Sequence, residues 1–169
     1  ELRNQAYTGC NPRGLMLARD KALTKKILAY PGLKVPEFAT FPKGRAVGRT
    51  YGLQFPLFVK SLTEEGSAGI SGASVVQDEE KLKERVEFIH RTTKSTALAE
   101  QFIDGREIYV GVMGNQRVTA LPAWEFSMTR KSGGPLIASD RAKWDPEYQR
   151  EVGLKTGPAR LSKKMQSEL

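Results

Sequence analysis

One cysteine, Cys10, and one histidine, His90, are all that the 169-residue chain holds of these two side chains. A lone cysteine excludes an internal disulfide and fits a reducing, cytoplasmic compartment. Cys10 and His90 stand far apart in the sequence, so Cys10 reads as an inert thiol, not a nucleophile, and no paired Cys/His spacing for zinc is present. No apolar run is long enough to span a membrane, and no signal-peptide pattern opens the chain. No Gly-Lys-Ser/Thr follows the glycines, which excludes a Walker A loop. Aromatics make up only 8% of the residues and form no RNP-type pattern for stacking RNA bases.

What is present fits a soluble globular protein. Hydrophobic residues make up 39% and charged residues 27%, enough for one core or two small lobes at this length. The formal net charge is +8. That balance suits either a basic nucleic-acid-binding module, whose signature would be salt-dependent binding to a duplex, or a protein that binds an anionic nucleotide. The basic residues are spread, with only pairs at Lys25-Lys26, Arg130-Lys131 and Lys163-Lys164, and acids interleave with them between Asp78 and Glu87.

The stretch from Phe55 to Gly72 has two textures. Leu57, Phe58 and Val59 form an apolar run ending on Lys60, which reads as a buried strand with a cation at its exit. Gly66, Ser67, Ala68, Gly69, Ser71 and Gly72 follow, small residues whose backbone N–H groups a ligand can approach closely. A lysine at a strand end before such a loop suits a polyphosphate. A plain mobile hairpin loop is the other reading of the same residues.

Around this stretch the chain alternates helices and strands. Asn11 and Pro12 open a short helix through Leu15, Met16 and Ala18. Asp20 caps a second, through Leu23, Ile27 and Leu28, that stops at Pro31-Gly32. Lys21 falls in its first turn, against the helix dipole; a nearby anion would offset that cost, and a solvated lysine is the bland alternative. Val35–Phe41 reads as an edge strand, Pro42–Gly52 as a loop and Ala73–Val76 as a returning strand. Asp78 caps the clearest helix, with Glu79 and Glu80 in its first turn, Leu82, Val86 and Ile89 on its core face and His90 in a structural place in its last turn. Ala97–Ile103 is an apolar strand with Glu100 embedded in it. After the Asp104-Gly105 turn, Glu107–Met113 reads as one strand, with Ile108, Val110 and Val112 on one face and Glu107 and Tyr109 on the other. Gly114-Asn115 reads as a two-residue hairpin turn into Arg117–Ala120. Leu121–Phe126 leads toward another strand. Ser127–Asp140, with Gly133, Gly134 and Pro135, reads as a loop, and the remainder as a polar, loop-like tail in which Asp140, Asp145 and Glu147 are solvated charges.

Taken in order, Asp20-Lys21, Val59-Lys60, the Glu-Gly-Ser loop and Leu98-Ala99-Glu100-Gln101-Phe102-Ile103-Asp104-Gly105-Arg106-Glu107 resemble the ATP-grasp superfamily, and within it the D-alanine–D-alanine ligases. The resemblance runs from about Tyr7 to about Trp144. It implies an α/β ATP-grasp fold, a small antiparallel sheet with helices followed by the first part of a second, larger sheet. Residues 1–19 would end an N-terminal domain, 20–104 would form the central lobe and 105–169 part of a C-terminal lobe. It implies that Lys21 and Lys60 contact nucleotide phosphates. The loop with Glu65, Gly66, Ser67 and Gly69 would close over them. Glu100, Gln101, Phe102 and Ile103 would form the adenine-facing hinge, and Glu107 would face the ribose. Lys143, in Ala-Lys-Trp, would face a phosphate and act with Ser67 on the catalytic side.

The activity so implied is ATP-dependent ligation of a carboxylate to an amine through an acyl phosphate, with ATP and Mg²⁺ as cofactors. The partners would be ATP and a small amino-acid or peptide substrate, with no nucleic acid, no membrane and a homodimer allowed. Departures leave the acceptor open, so a ligase of another amino acid or a peptide stands as the alternative. The family's Arg-Glu-Gly-Ser-Ser is here Glu64-Glu65-Gly66-Ser67-Ala68, Ser61 stands where proline is common, and Trp144 replaces a tyrosine. The family's metal ligands include a Glu-x-Asn pair. Asparagine occurs here only at Asn4, Asn11 and Asn115, none of them two residues after a glutamate. No metal ligand is therefore assigned, and the chain is expected to be a piece of a longer protein, unable to ligate alone.

Overall fold

The computed structural model describes residues 5–48, 50, 52–129 and 135–168. Asn4, the Arg130-Lys131 pair and Gly133-Gly134 lie outside them. The chain divides into two compact units, Glu1–Ile103 with Ala138–Asp140, and Asp104–Ile137 with Arg141–Leu169.

The first unit is built on capped helices and one sheet. α1 (Pro12–Arg19) starts where the Asn11 side chain accepts from the Gly14 N–H at 2.9 Å. α2 (Lys21–Ala29) starts where Asp20 accepts from the Leu23 N–H at 2.9 Å. Each cap satisfies an N–H that the first helical turn leaves without a partner. β1 (Phe38–Phe41), β2 (Leu57–Ser61), β3 (Val75–Val76) and β4 (Ala97–Gln101) form a four-stranded sheet in the order β1-β4-β2-β3. α3 (Glu79–Thr92) is capped by Asp78, which accepts from the Lys81 N–H at 2.8 Å.

The period-two pattern of β2 sets the core. Leu57, Val59 and Ser61 are buried, and Leu57 and Val59 cluster with Leu82, Val86 and Ile89 of α3 and with Ala97 and Ala99 of β4. β1 is an edge strand, as expected, but shorter than Val35–Phe41. The returning strand is also shorter, because a single 3-10 turn, Gly72–Ser74, precedes β3. His90 has a structural place: its Nε2 lies 2.8 Å from the Phe41 carbonyl oxygen.

The second unit departs further from expectation. The strand expected over Glu107–Met113 is two, β5 (Glu107–Tyr109) and β6 (Val112–Met113). The two pieces pair with different partners, Glu107–Tyr109 with Trp124–Phe126 and Val112–Met113 with Thr119–Ala120, and at Gly111 between them the carbonyl accepts from the Leu121 N–H at 2.7 Å while the Leu121 side chain packs against the glycine. A glycine in a strand marks such a close approach. β6 pairs with β7 (Thr119–Ala120), and Met113 faces Thr119, so the connecting loop is 114–118 and not a two-residue turn. Gly114 has φ of +121°, and a Cβ there would fall 2.0 Å from the Arg117 carbonyl oxygen. Only glycine fits at this close approach of the loop backbone.

β5 pairs with β8 (Trp124–Ser127). The tail expected to be irregular is largely regular. It forms α4 (Asp140–Trp144), α5 (Pro146–Glu151), β9 (Lys155–Pro158) and α6 (Lys163–Glu168), and β9 completes the three-stranded sheet β5-β8-β9. Asp145 caps α5 by accepting from the Glu147 and Tyr148 N–H groups, with Pro146 at the first helical position. Asp140 and Glu147 occupy helical first turns, not a loop. Among the described residues no helix is long and apolar enough to cross a membrane.

Two outcomes are expected. Leu82→Ala empties a position that is 1% exposed and should destabilise the chain by about 2–5 kcal/mol in a denaturant titration. In the second unit, Arg106 donates twice to Glu125, at 2.7 Å each, and holds its carboxyl below the ordinary carboxylate range. A depressed carboxylate pKa contributes stability that is present above the unfolded value and lost as pH falls through the folded one. Arg106→Gln should move the Glu125 titration, followed by carboxyl NMR, back up toward the ordinary range.

Candidate functional site

The face of the first sheet opposite α3 is organised by Glu100. In the antiparallel register Glu100 lies across from Phe38 of β1 and from Phe58 of β2, and paired residues share a face. Lys60, two residues beyond Phe58, is on that face as well. Its Nζ donates to Glu100 Oε1 at 2.5 Å. Lys60 is thus the penultimate residue of β2, not a cation at the strand's exit.

A second cation arrives from α2. Lys25 Nζ lies 2.8 Å from Glu100 Oε2, outside hydrogen-bond geometry, so this buried oxygen has an ion-pair partner but accepts no hydrogen bond among the described residues. The three side chains are 11% (Glu100), 14% (Lys25) and 20% (Lys60) exposed. Each ammonium also lies near an aromatic ring, Lys25 at 5.8 Å from the Phe38 centroid and Lys60 at 5.5 Å from that of Phe58. Two cations and one carboxylate leave a shielded site with an excess positive charge, an arrangement that favours an anion.

Lys21, one helical turn before Lys25, is half-buried. Its Nζ donates to the carbonyls of Leu62 (3.3 Å) and Glu64 (2.8 Å), and its backbone N–H donates to the Leu62 carbonyl. Burial pushes its pKa down, with Glu65 opposing that shift. Lys21 therefore ties α2 to the chain leaving β2.

The small-residue loop is partly self-satisfied. The Ala68 N–H donates to the Glu65 carbonyl and the Ile70 N–H to the Ser67 carbonyl. Ser67 (φ +65°) takes a left-handed conformation between Gly66 (φ +65°) and Gly69 (φ +72°), and its hydroxyl donates to the Ala138 carbonyl at 2.8 Å. Beyond Gly69 the loop is anchored. Arg85 of α3 donates to the Gly69 carbonyl and to Ser74 Oγ, and its guanidinium stacks 4.3 Å from the Phe88 ring centroid.

The expected hinge residues follow one another along and past β4. The Gln101 N–H donates to the Glu37 carbonyl and the Phe102 N–H to the Pro56 carbonyl, so both donors are already engaged. The Phe102 ring lies 6.5 Å from that of Phe58, and Ile103 is exposed past the strand end. Glu107 and Lys143 belong to the second unit. Glu107 accepts from the Tyr109 hydroxyl, and burial with this contact pushes the Tyr109 pKa well above its ordinary value. Lys143 is an exposed residue of α4.

The structure thus brings together Lys60 and Glu100, with Lys21 on the same helix as their third partner. The sequence reading missed Lys25 and Arg85. Lys25 had a signal, its i,i+4 spacing from Lys21 on one helix face. Arg85 had none beyond its place between Leu82 and Val86. Among the described residues no group of three or more His, Cys, Asp or Glu side chains could hold a metal ion.

Comparison with known proteins identifies the family. Residues 27–164 match the model of the family described as D-ala D-ala ligase C-terminus. The chain is 33% identical over 166 residues to the Sinorhizobium fredii protein y4sG, covering 98% of this chain and 46% of that protein. It is 34% identical over 170 residues to a D-alanine–D-alanine ligase of Desulforudis audaxviator, covering 96% of this chain and 50% of that one. A crystal structure of the Bacillus anthracis D-alanine–D-alanine ligase complexed with ATP superposes with a TM-score of 0.61 at 20% identity, over 89% of this chain and 42% of that one. The chain belongs to the D-alanine–D-alanine ligase C-terminal family, and its mixed α/β fold with small antiparallel sheets is that of ATP-grasp ligases. It spans about half the length of these curated relatives.

The anchoring by Arg85 yields a prediction on loop dynamics. Amide hydrogen exchange should be slow at Ser74, whose N–H donates to the Ser71 carbonyl and whose side chain is fully buried. Arg85→Met should raise exchange at Ser74 and the residues beside it while leaving the first half of the loop unchanged.

Proposed function

We propose that this chain carries the nucleotide-binding part of an ATP-dependent ligase, which joins a carboxylate to an amine through an acyl phosphate, as in D-alanine–D-alanine ligases. The observation that carries the reading is Glu100. It is a buried carboxylate flanked by two lysines on the sheet face opposite α3. A purine amino group would donate to that carboxylate, and Lys60 would meet the phosphates. Family membership supports the same assignment.

On this reading Lys60 binds phosphate and Glu100 accepts from the adenine. Gln101, Phe102 and Ile103 border the base, and Glu107 accepts from ribose hydroxyls. Lys21 places the start of the loop, and Glu65, Gly66, Ser67 and Gly69 form the part that closes over the phosphates. Lys143, exposed on α4, takes its phosphate-facing role from the family resemblance alone. The first unit is the central lobe from residue 20, after the end of an N-terminal domain, and residues from 105 onward are part of the C-terminal lobe. ATP supplies the activating phosphoryl group. Mg²⁺ would supply charge neutralisation at the phosphates, and no residue of this chain is assigned to it. The substrate is a small amino acid or peptide, and the compartment is the cytoplasm. The altered loop, Glu65-Gly66-Ser67-Ala68, favours an acceptor other than D-alanine as the second reading. Phosphate release measured across a panel of amino acids and dipeptides separates the two.

The direct test is calorimetry with ATP and with adenosine. A charge-assisted contact is worth roughly 1.5–3 kcal/mol. Lys60→Ala should therefore weaken ATP by that amount and leave adenosine nearly unchanged. Equal losses for both ligands would remove Lys60 from the phosphates.

A further inference from the structure

We infer that Lys25 is a positioning residue, which keeps Glu100 charge-paired so that Lys60 is free to leave it for the nucleotide phosphates. The inference rests on the nucleotide-site reading above. Lys60 and Lys25 hold different oxygens of one carboxylate, Oε1 at 2.5 Å and Oε2 at 2.8 Å. A carboxylate this buried is costly to leave without a counter-ion. With one lysine, moving it to a phosphate would strand Glu100. With two, one can move while the other stays.

Geometry decides which moves. Lys25 sits on α2 one turn from Lys21, and Lys21 is fastened to the Leu62 and Glu64 carbonyls, so the backbone that bears Lys25 is fixed. Lys25 is also the less exposed of the two. Lys60 sits on β2 immediately before the segment that leads into the loop, and its flexible four-carbon stem lets the ammonium swing without backbone movement. Only Lys60 also makes a hydrogen bond to Glu100 that is remade with another acceptor as it turns.

The test uses the 169-residue chain, with adenosine and a non-hydrolysable ATP analogue as probes and thermal melting as a check on folding. Lys25→Met should weaken the triphosphate about tenfold or more while moving adenosine by less than about threefold. Without Lys25, Lys60 is the only counter-ion of a buried carboxylate. Lys25→Arg keeps the charge and should restore triphosphate binding. In a Glu100→Gln background, where no carboxylate needs a partner, Lys25→Met should have little further effect on the triphosphate. A loss that persists undiminished in that background would show Lys25 touching phosphate itself or acting as a general positive charge, and would overturn the inference. Parallel loss of adenosine and triphosphate would overturn it too, by making Lys25 merely structural. If Lys25→Met does not fold, Lys25→Arg decides alone, because a selective loss of triphosphate in that variant contradicts the proposal. A parent chain that binds neither probe would overturn the nucleotide-site reading, and this inference with it. Binding by the parent without coupling between Lys25 and Glu100 would overturn this inference only.

Discussion

A buried carboxylate must find its charge partners inside the fold, and Glu100 sets much of the first unit's geometry through that requirement. It stands in β4, between β1 and β2, where its two neighbours across the sheet are Phe38 and Phe58. One partner, Lys60, comes from the adjacent strand. The other, Lys25, requires α2 to lie over the same face of the sheet. The Asp20 cap and the Lys21 contacts to Leu62 and Glu64 keep α2 there. The opposite face of the sheet is apolar and packs on α3. One sheet thus has a dry face that stabilises it and a charged face available for chemistry.

The loop after β2 has a similar division of labour. Its first half carries left-handed backbone at Gly66 and Ser67. Its second half is fixed by Arg85, which reaches from the core face of α3 to the Gly69 carbonyl and Ser74. Burial lowers the pKa of Arg85, and the stacking on Phe88 shows how the fold accommodates a buried guanidinium.

Much of this unit is legible in the sequence because its signals are local. Asn11, Asp20 and Asp78 each announce a helix start. Leu82, Val86 and Ile89 announce a face, and Leu57–Lys60 announces a strand. The interior of the site is less legible, because it depends on elements meeting. Lys25 looked like half of a basic surface pair, and nothing near it in sequence reveals Glu100 across the sheet. The second unit is harder to read because its strands are short. β9, Lys-Thr-Gly-Pro, has no apolar alternation and exists through its pairing with Trp124–Ser127. The helix after Asp145-Pro146 was readable, since it repeats the cap and proline of Asn11-Pro12, yet its polar residues made it look like a tail.

The central claim is that a nucleotide occupies the charged face around Glu100. Photolabelling with an azido-adenine analogue of ATP, followed by peptide mapping, tests it most directly. The account predicts label on the peptides containing Phe58–Ser61 and Ala97–Ile103, protected by excess ATP. Protectable label absent from both peptides would contradict it.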